Sequence, residues 1–199
     1  MEILPRVAQC ASSIPTKIFY PQQTVRCFGT ASFRSQLARD IACLLDVDDG
    51  VTSWSCLDEP FRYDGEVHFP DLVVEREGCR TIIEADERSG AVPIWLASAV
   101  HSAGYEFQVL RRDDLPALRL RNAKDLLRYS RYEVTLDDRI RLLAALDEHG
   151  NLTVAECLSA FRKASPIPGL ASLALARFIT MDLDEKLIGP ETIVRRYRG

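Results

Sequence analysis

Residues 70–87 read PDLVVEREGCRTIIEADE. A Pro-Asp pair opens a β-branched run, a turn falls near Gly78, and a second apolar run ends on Glu-Ala-Asp. Short β-branched and apolar runs bounded by turn residues predict two strands. Three carboxylates tip them: Asp71, Glu84 and Asp86. Successive strand side chains point to opposite faces, so Glu84 and Asp86 share one face while Ile83 and Ala85 share the other. Asp71, near the start of the neighbouring strand, is expected to reach the same place. Clustered carboxylates suit Mg²⁺ or Mn²⁺, which prefer oxygen ligands and keep several waters. Such a metal would activate a water and offset charge developing on a phosphate. Two carboxylates ~4 Å apart repel by on the order of 4 kcal/mol at an effective dielectric near 20. Four arrangements therefore stay open: a metal binds, one carboxyl is protonated, arginines pair with them, or Asp86 turns to solvent.

Working outward, SFRSQLARDIACLLDVD (32–48) predicts an amphipathic helix. Its Phe33, Leu37, Ile41, Leu44 and Leu45 recur at three- and four-residue spacing, with Ser32 as N-cap. Residues 51–65 read as a strand ending in a turn, EVHFPDLVVERE and CRTIIEADE as the two strands above, residues 93–103 as a helix stopped by Gly104, and YEFQVL as a further strand. Strand–strand–helix–strand is a mixed α/β core. Residues 1–29, with Pro5, Pro15 and Pro21, read as an extended arm or short strands.

From Leu136 the character changes. LDDRIRLLAALDEHG is a helix closed by Gly150, NLTVAECLSAFRKA a second capped by Thr153 or Asn151, SPIPG a loop, and LASLALARFITM a third helix. DLDEKLIGPETIVRRYRG suits a small hairpin with a basic tail. Three short helices followed by a hairpin is the order of a winged helix, so a boundary is placed near 133–136. The third helix would be the DNA-reading one, yet Arg177 is its only strong phosphate or base contact. It is expected to pack against protein instead.

The chain is 47% hydrophobic over 199 residues, enough to bury a sizeable core. No apolar run approaches the roughly 20 residues needed to span a bilayer. No basic-then-apolar leader opens the sequence, and the six cysteines form no CxxC pair. A cytoplasmic protein with reduced thiols is the reading, without a zinc site. Net charge is −4, but it is unevenly spread. Residues 1–40 hold five Lys/Arg and two Asp/Glu, residues 41–116 six and sixteen, and residues 117–199 fourteen and eleven. An acidic middle between basic ends fits a metal-collecting centre with phosphate-contacting flanks; an ordinary patchy surface is the plain alternative. The strongly basic helix LRLRNAKDLLRYSRY (118–132) carries Arg119, Arg121, Lys124, Arg128 and Arg131. These are the candidate DNA contacts, the alternative being a solvated face paired with Asp125 and Glu133.

HFPDLVV…TIIEAD resembles the PD-(D/E)xK nuclease motif. From about Phe33 to Val194 the chain resembles the TnsA-type transposon-end endonucleases. The FRSQLARDIACLL helix, EPF at 59–61, the PD strand, the IIEAD strand, the YEFQVL strand and LRNAKDLLRYSRY arrive in that family's order. The resemblance implies a restriction-endonuclease-like mixed sheet flanked by helices over 1–133 and a winged-helix-like domain over 134–199. It also implies Mg²⁺ or Mn²⁺ on Asp71 and Glu84, Asp86 as an additional ligand, DNA as ligand and a transposase-like or other DNA-processing partner.

Two positions depart from the family. Asp86 stands where its motif has lysine, and Ala38 stands where its first helix has an acid, with Asp40 off register. An aspartate cannot stabilise developing negative charge as the lysine does. Lysines are scarce (Lys17, Lys124, Lys163 and Lys186), and Lys124, Arg34 and Arg39 are the nearby cations on neighbouring helices. The expected protein is DNA-associated with its nuclease activity weakened or lost. An active endonuclease of a mobile element and a non-enzymatic adaptor are the alternatives.

Overall fold

A computed structural model describes residues 17–87 and 92–199. Residues 1–16 of the expected arm and 88–91 lie outside the described residues. The first helix, α1, spans Gln36–Asp46. It starts one turn later than expected because Ser35, not Ser32, caps it, accepting from the Ala38 amide at 2.9 Å.

The run 51–65 divides into β1 (Ser53–Cys56) and β2 (Phe61–Tyr63). EVHFPDLVVERE likewise divides into β3 (Glu66–His68) and β4 (Leu72–Arg76). Pro60 and Pro70 stand at the breaks, and proline has no N–H to donate to a ladder. The β2–β3 hairpin turns on Asp64 and Gly65, at φ 46° and 82°. A two-residue hairpin turn of this hand needs positive φ at both positions, hence the glycine. There follow β5 (Cys79–Ala85), α2 (Leu96–Ser102), β6 (Glu106–Leu110) and α3 (Ala117–Leu127).

The main sheet has the order β1–β4–β5–β6. Its first two pairings are antiparallel, and β5–β6, joined through α2, is parallel. It is a mixed sheet with helices on both faces. Leu72, Val74 and Ile83 pack under α1 and α3 against Leu37, Ile41, Ala123 and Leu127. The alternate positions Val73, Ile82 and Phe107 pack with Leu96 and Val100 of α2. Trp54 is buried and Trp95 half-buried against Tyr63.

Downstream come α4 (Leu136–His149), β7 (Asn151–Thr153), α5 (Val154–Cys157), α6 (Pro166–Leu175), β8 (Ile179–Met181) and β9 (Ile193–Arg196). The three strands pair antiparallel in the order β7–β9–β8. Three sequence expectations are corrected here. Asn151–Thr153 is strand, and the α-helix after it is a single turn that runs on as a 3-10 turn over Leu158–Ala160. Thr153 closes a capping box with Glu156 there, so it both ends the strand and starts the helix. SPIPG is not a loop beyond Ser165: Pro166 opens α6, at a position whose N–H no helix uses. The end of the third expected helix, Ile179–Met181, pairs as a strand with β9.

Helix α6 faces both ways. Leu170 and Leu173 pack with Leu142, Leu146 and Val194, while Ala171 and Leu175 pack with the α1/α3 core. Only Ile167 along it is exposed. Asn122 of α3 donates Nδ2 to the Leu183 and Lys186 carbonyls and accepts from the Ile188 amide. Arg177, just past α6, donates Nη2 to the Asp48, Asp49 and Val51 carbonyls at 2.9, 2.9 and 2.6 Å. Among the described residues no helix is long and apolar enough to cross a membrane.

Candidate functional site

Pro70 ends β3's excursion and delivers Asp71 to the head of β4. Leu72 faces Ile83 across the antiparallel ladder, so the next pair outward is Asp71 with Glu84. Asp71 Oδ2 accepts the Ala85 amide at 2.9 Å, which fixes its carboxylate beside β5. The two acids are 8% exposed each. They share the sheet face of Val73 and Ile82, as alternation requires.

Three further groups complete the surroundings. His68, at the end of β3, places Nε2 3.0 Å from Glu84 Oε1, without hydrogen-bond alignment. Arg34, just before α1, lies 3.8 Å from Asp71 Oδ1. Its guanidinium is held there by the Leu57, Phe69 and Pro70 carbonyls and stands over the Phe69 ring. Glu87 turns back towards the start of α1, 3.4 Å from the Leu37 amide. Burial pushes the Asp71 carboxyl up, against the pull of the Ala85 amide, Arg34 and His68. Burial also pushes Glu84 up; His68 opposes this and the neighbouring Asp71 charge adds to it. Glu84 Oε2 is buried without a hydrogen-bond partner among the described residues.

A cation beside such a pair would remove both the repulsion and the unmet oxygen. Among the described residues no three His, Cys, Asp or Glu side chains form a ready metal cage. Mg²⁺ does not require one. It is commonly held by one or two carboxylates plus waters and substrate phosphate. The residues present fit a hard divalent ion of that kind.

Asp86 follows another course. Its amide continues the parallel ladder to the Leu110 carbonyl, and its Oδ2 meets Arg111 Nε at 3.0 Å. Of the four arrangements open from sequence, the arginine pair is the one found at Asp86. Asp40 on α1 is buried and receives Gln36, Arg112 and Lys124, the last at 2.7 Å. Burial would raise its carboxyl, but these donors outweigh it and hold it below the usual range. Lys124 is thus engaged by Asp40 rather than by Asp71 or Glu84. Arg39 is wholly buried, donating to the Pro21 and Gln23 carbonyls.

The basic helix divides as well. Arg119 is turned to Asp184 and the Val47 carbonyl. Arg121, Arg128 and Arg131 are exposed, Arg128 with Asp125 3.5 Å away. The tail residues Arg195 and Arg198 are exposed too, while Arg196 pairs with Asp147. Two hollows of about 310 Å³ each lie away from the acids. One is polar, lined by Asp46 and Arg119 among others; the other is apolar, between α3 and α6.

Sequence reading missed His68 and Arg111. HFPD sets the histidine three residues before Asp71, a signal that was present. Arg111 stands two residues past Val109, the β6 partner of Glu84, and only the register reveals it. No protein-family model matches the chain, and no curated protein does either.

Proposed function

We propose that the protein is a DNA-associated member of the TnsA-type, PD-(D/E)xK nuclease plan, with its cleavage chemistry weakened or lost. The observation that carries this reading is the meeting of Asp71 and Glu84 across β4 and β5, with one buried oxygen left free. The order of the main sheet and its helices supports it: a helix, three antiparallel strands interrupted by the β2–β3 hairpin, a crossover helix and a parallel strand, with the acids at the strand ends. The run α4–β7–α5–α6–β8–β9, with β9 central, is the order of a winged helix.

Asp71 and Glu84 would hold one Mg²⁺ or Mn²⁺ ion, which supplies Lewis acidity towards a phosphodiester oxygen. Arg34 opposes the burial that pushes the Asp71 carboxyl up. Asp86 offers no positive charge where the motif has lysine, so attack of water is poorly assisted. Exposed Arg121, Arg128 and Arg131 would bear on the DNA backbone, with affinity that falls as salt rises. A transposase-like protein is the partner that the plan implies.

A non-enzymatic adaptor is the second reading, and burial of α6 favours it. A helix with a single exposed residue cannot enter a groove, so this winged helix serves as packing rather than as a base reader.

Titration calorimetry with Mn²⁺, beside plasmid nicking, tests the first reading. One Mn²⁺ site is expected that Asp71→Ala and Glu84→Ala abolish, with slow or absent nicking that those variants eliminate. Mn²⁺ binding indifferent to both substitutions would overturn it. Nicking at the rate of a fully armed nuclease would overturn the weakened chemistry alone.

A further inference from the structure

Asp86 is not a vacant lysine position. Its side chain is 1% exposed and Oδ1 has no hydrogen-bond partner among the described residues, while Oδ2 engages Arg111. The register explains the pairing: Glu84 lies beside Val109 and Ala85 beside Leu110, so Asp86 falls beside Arg111. Phe107, two residues before Val109, packs on the α2 face with Val73 and Ile82. By alternation Asp71, Glu84, Asp86 and Arg111 all belong to that one face. Arg111 is more exposed than its anchor, at 57% for the side chain.

A guanidinium presents five N–H donors in a planar fork. Arg111 commits Nε to Asp86, and its side chain is largely exposed, so the Nη donors are not spent on this carboxylate. That arrangement suits a phosphate, which two parallel N–H groups can grip. A buried aspartate under an exposed arginine thus makes a pair whose cationic half is the one that faces outward. It brings a fixed positive charge to the face of the carboxylate pair.

We propose that Arg111, positioned by Asp86, is the phosphate-binding residue of this site, and that its ligand is a backbone phosphate of DNA bridging Arg111 and the cation on Asp71 and Glu84. This rests on the cation site put forward above. An arginine stays protonated and cannot shuttle a proton to or from water. The site accordingly grips a phosphodiester while giving its hydrolysis little proton-transfer help, which ties the retained charge to the weakened chemistry. No bond is made or broken in this step.

The test is fluorescence anisotropy with a short labelled DNA duplex, with Ca²⁺ as the cation to prevent cleavage. Arg111→Gln should weaken Ca²⁺-dependent binding by roughly tenfold or more, as expected for a lost charge-assisted contact. The slope of log K against log salt should fall by about one. Arg111→Lys should recover the slope and part of the affinity. Asp86→Asn should lose affinity while keeping the slope, because the charge remains but its anchor is gone. Mn²⁺ affinity by calorimetry should stay at the wild-type value in all three, which separates phosphate gripping from damage to the cation site. Wild-type affinity and slope in Arg111→Gln, with Ca²⁺-dependent binding lost in Glu84→Gln, would sink the proposal and leave the cation site standing. Mn²⁺ binding absent from the wild type would overturn both. Should Arg111→Gln fail to fold, Arg111→Lys and Asp86→Asn decide: wild-type affinity in both refutes the role.

Discussion

Glu84 is kept at a cost. A carboxyl whose folded value is raised binds more protons in the native state than in the unfolded one. Stability therefore falls as pH rises from the ordinary carboxylate values, 3.8 for Asp and 4.5 for Glu, through the raised ones. Glu84→Gln removes one charge of the pair. In metal-free buffer near neutral pH it should raise Tm by about 2–4 °C, the scale of 1 kcal/mol in a chain of this length. Mn²⁺ should raise the wild-type Tm but leave that of Glu84→Gln unmoved; a Tm that falls on substitution without metal would mean that Glu84 is structural. Asp138 shows the opposite sign. Burial would raise it, but the Ala164, Arg162 and Lys163 amides hold it well below the usual range. It therefore stabilises above its ordinary value, and that stability is lost in acid. At this scale the carboxylate pair was legible from alternation together with the pairing of two neighbouring strands, which is all that Asp71 and Glu84 need. Arg111 was not, because its place depends on a third strand whose register no local pattern fixes.

The elements were read best where one face met one core. Leu37, Ile41 and Leu45 announced α1 by spacing, and β4 and β5 by their β-branched runs. The boundaries moved where local chemistry overruled the pattern: Ser35 capping α1, Pro60 and Pro70 cutting runs in two, Pro166 starting a helix inside an apparent loop. Helix α6 carries Gly169 at its closest approach to Phe161. A Cβ there would stand 2.5 Å from the Phe161 ring, which is itself buried. Gly169→Ala gains up to ~1 kcal/mol in helix propensity but meets an overpacking penalty of about 1–3 kcal/mol. Net destabilisation of about 1 kcal/mol is expected in urea denaturation, and a more stable variant would show that the ring swings aside freely.

In the molecule as a whole, the boundary placed near 133–136 is crossed by more than a linker. Asn122, Arg177 and α6 tie the residues before it to those after it. The leucine and alanine pattern of α6 said that it is buried, but not against two partners, because periodicity reports a face and never its neighbour. Both tryptophans, Trp54 and Trp95, lie ahead of that boundary, so their fluorescence reports one side while far-UV ellipticity reports both. The two signals should melt together. Arg177→Ala should lower the common midpoint, at a cost of roughly 2–4 kcal/mol for charge-assisted bonds to three carbonyls. Wild-type signals that melt at different temperatures would mean that the two sides unfold separately.

The plainest stretch of the chain, PIPGLASLAL, holds neither a charge nor an aromatic ring, and a reader hunting for chemistry passes over it. Every residue in it but one is hemmed in on some side. Saturation mutagenesis should find these ten positions less forgiving than the conspicuous arginines of α3, so that tolerance and visual interest run in opposite directions along this sequence.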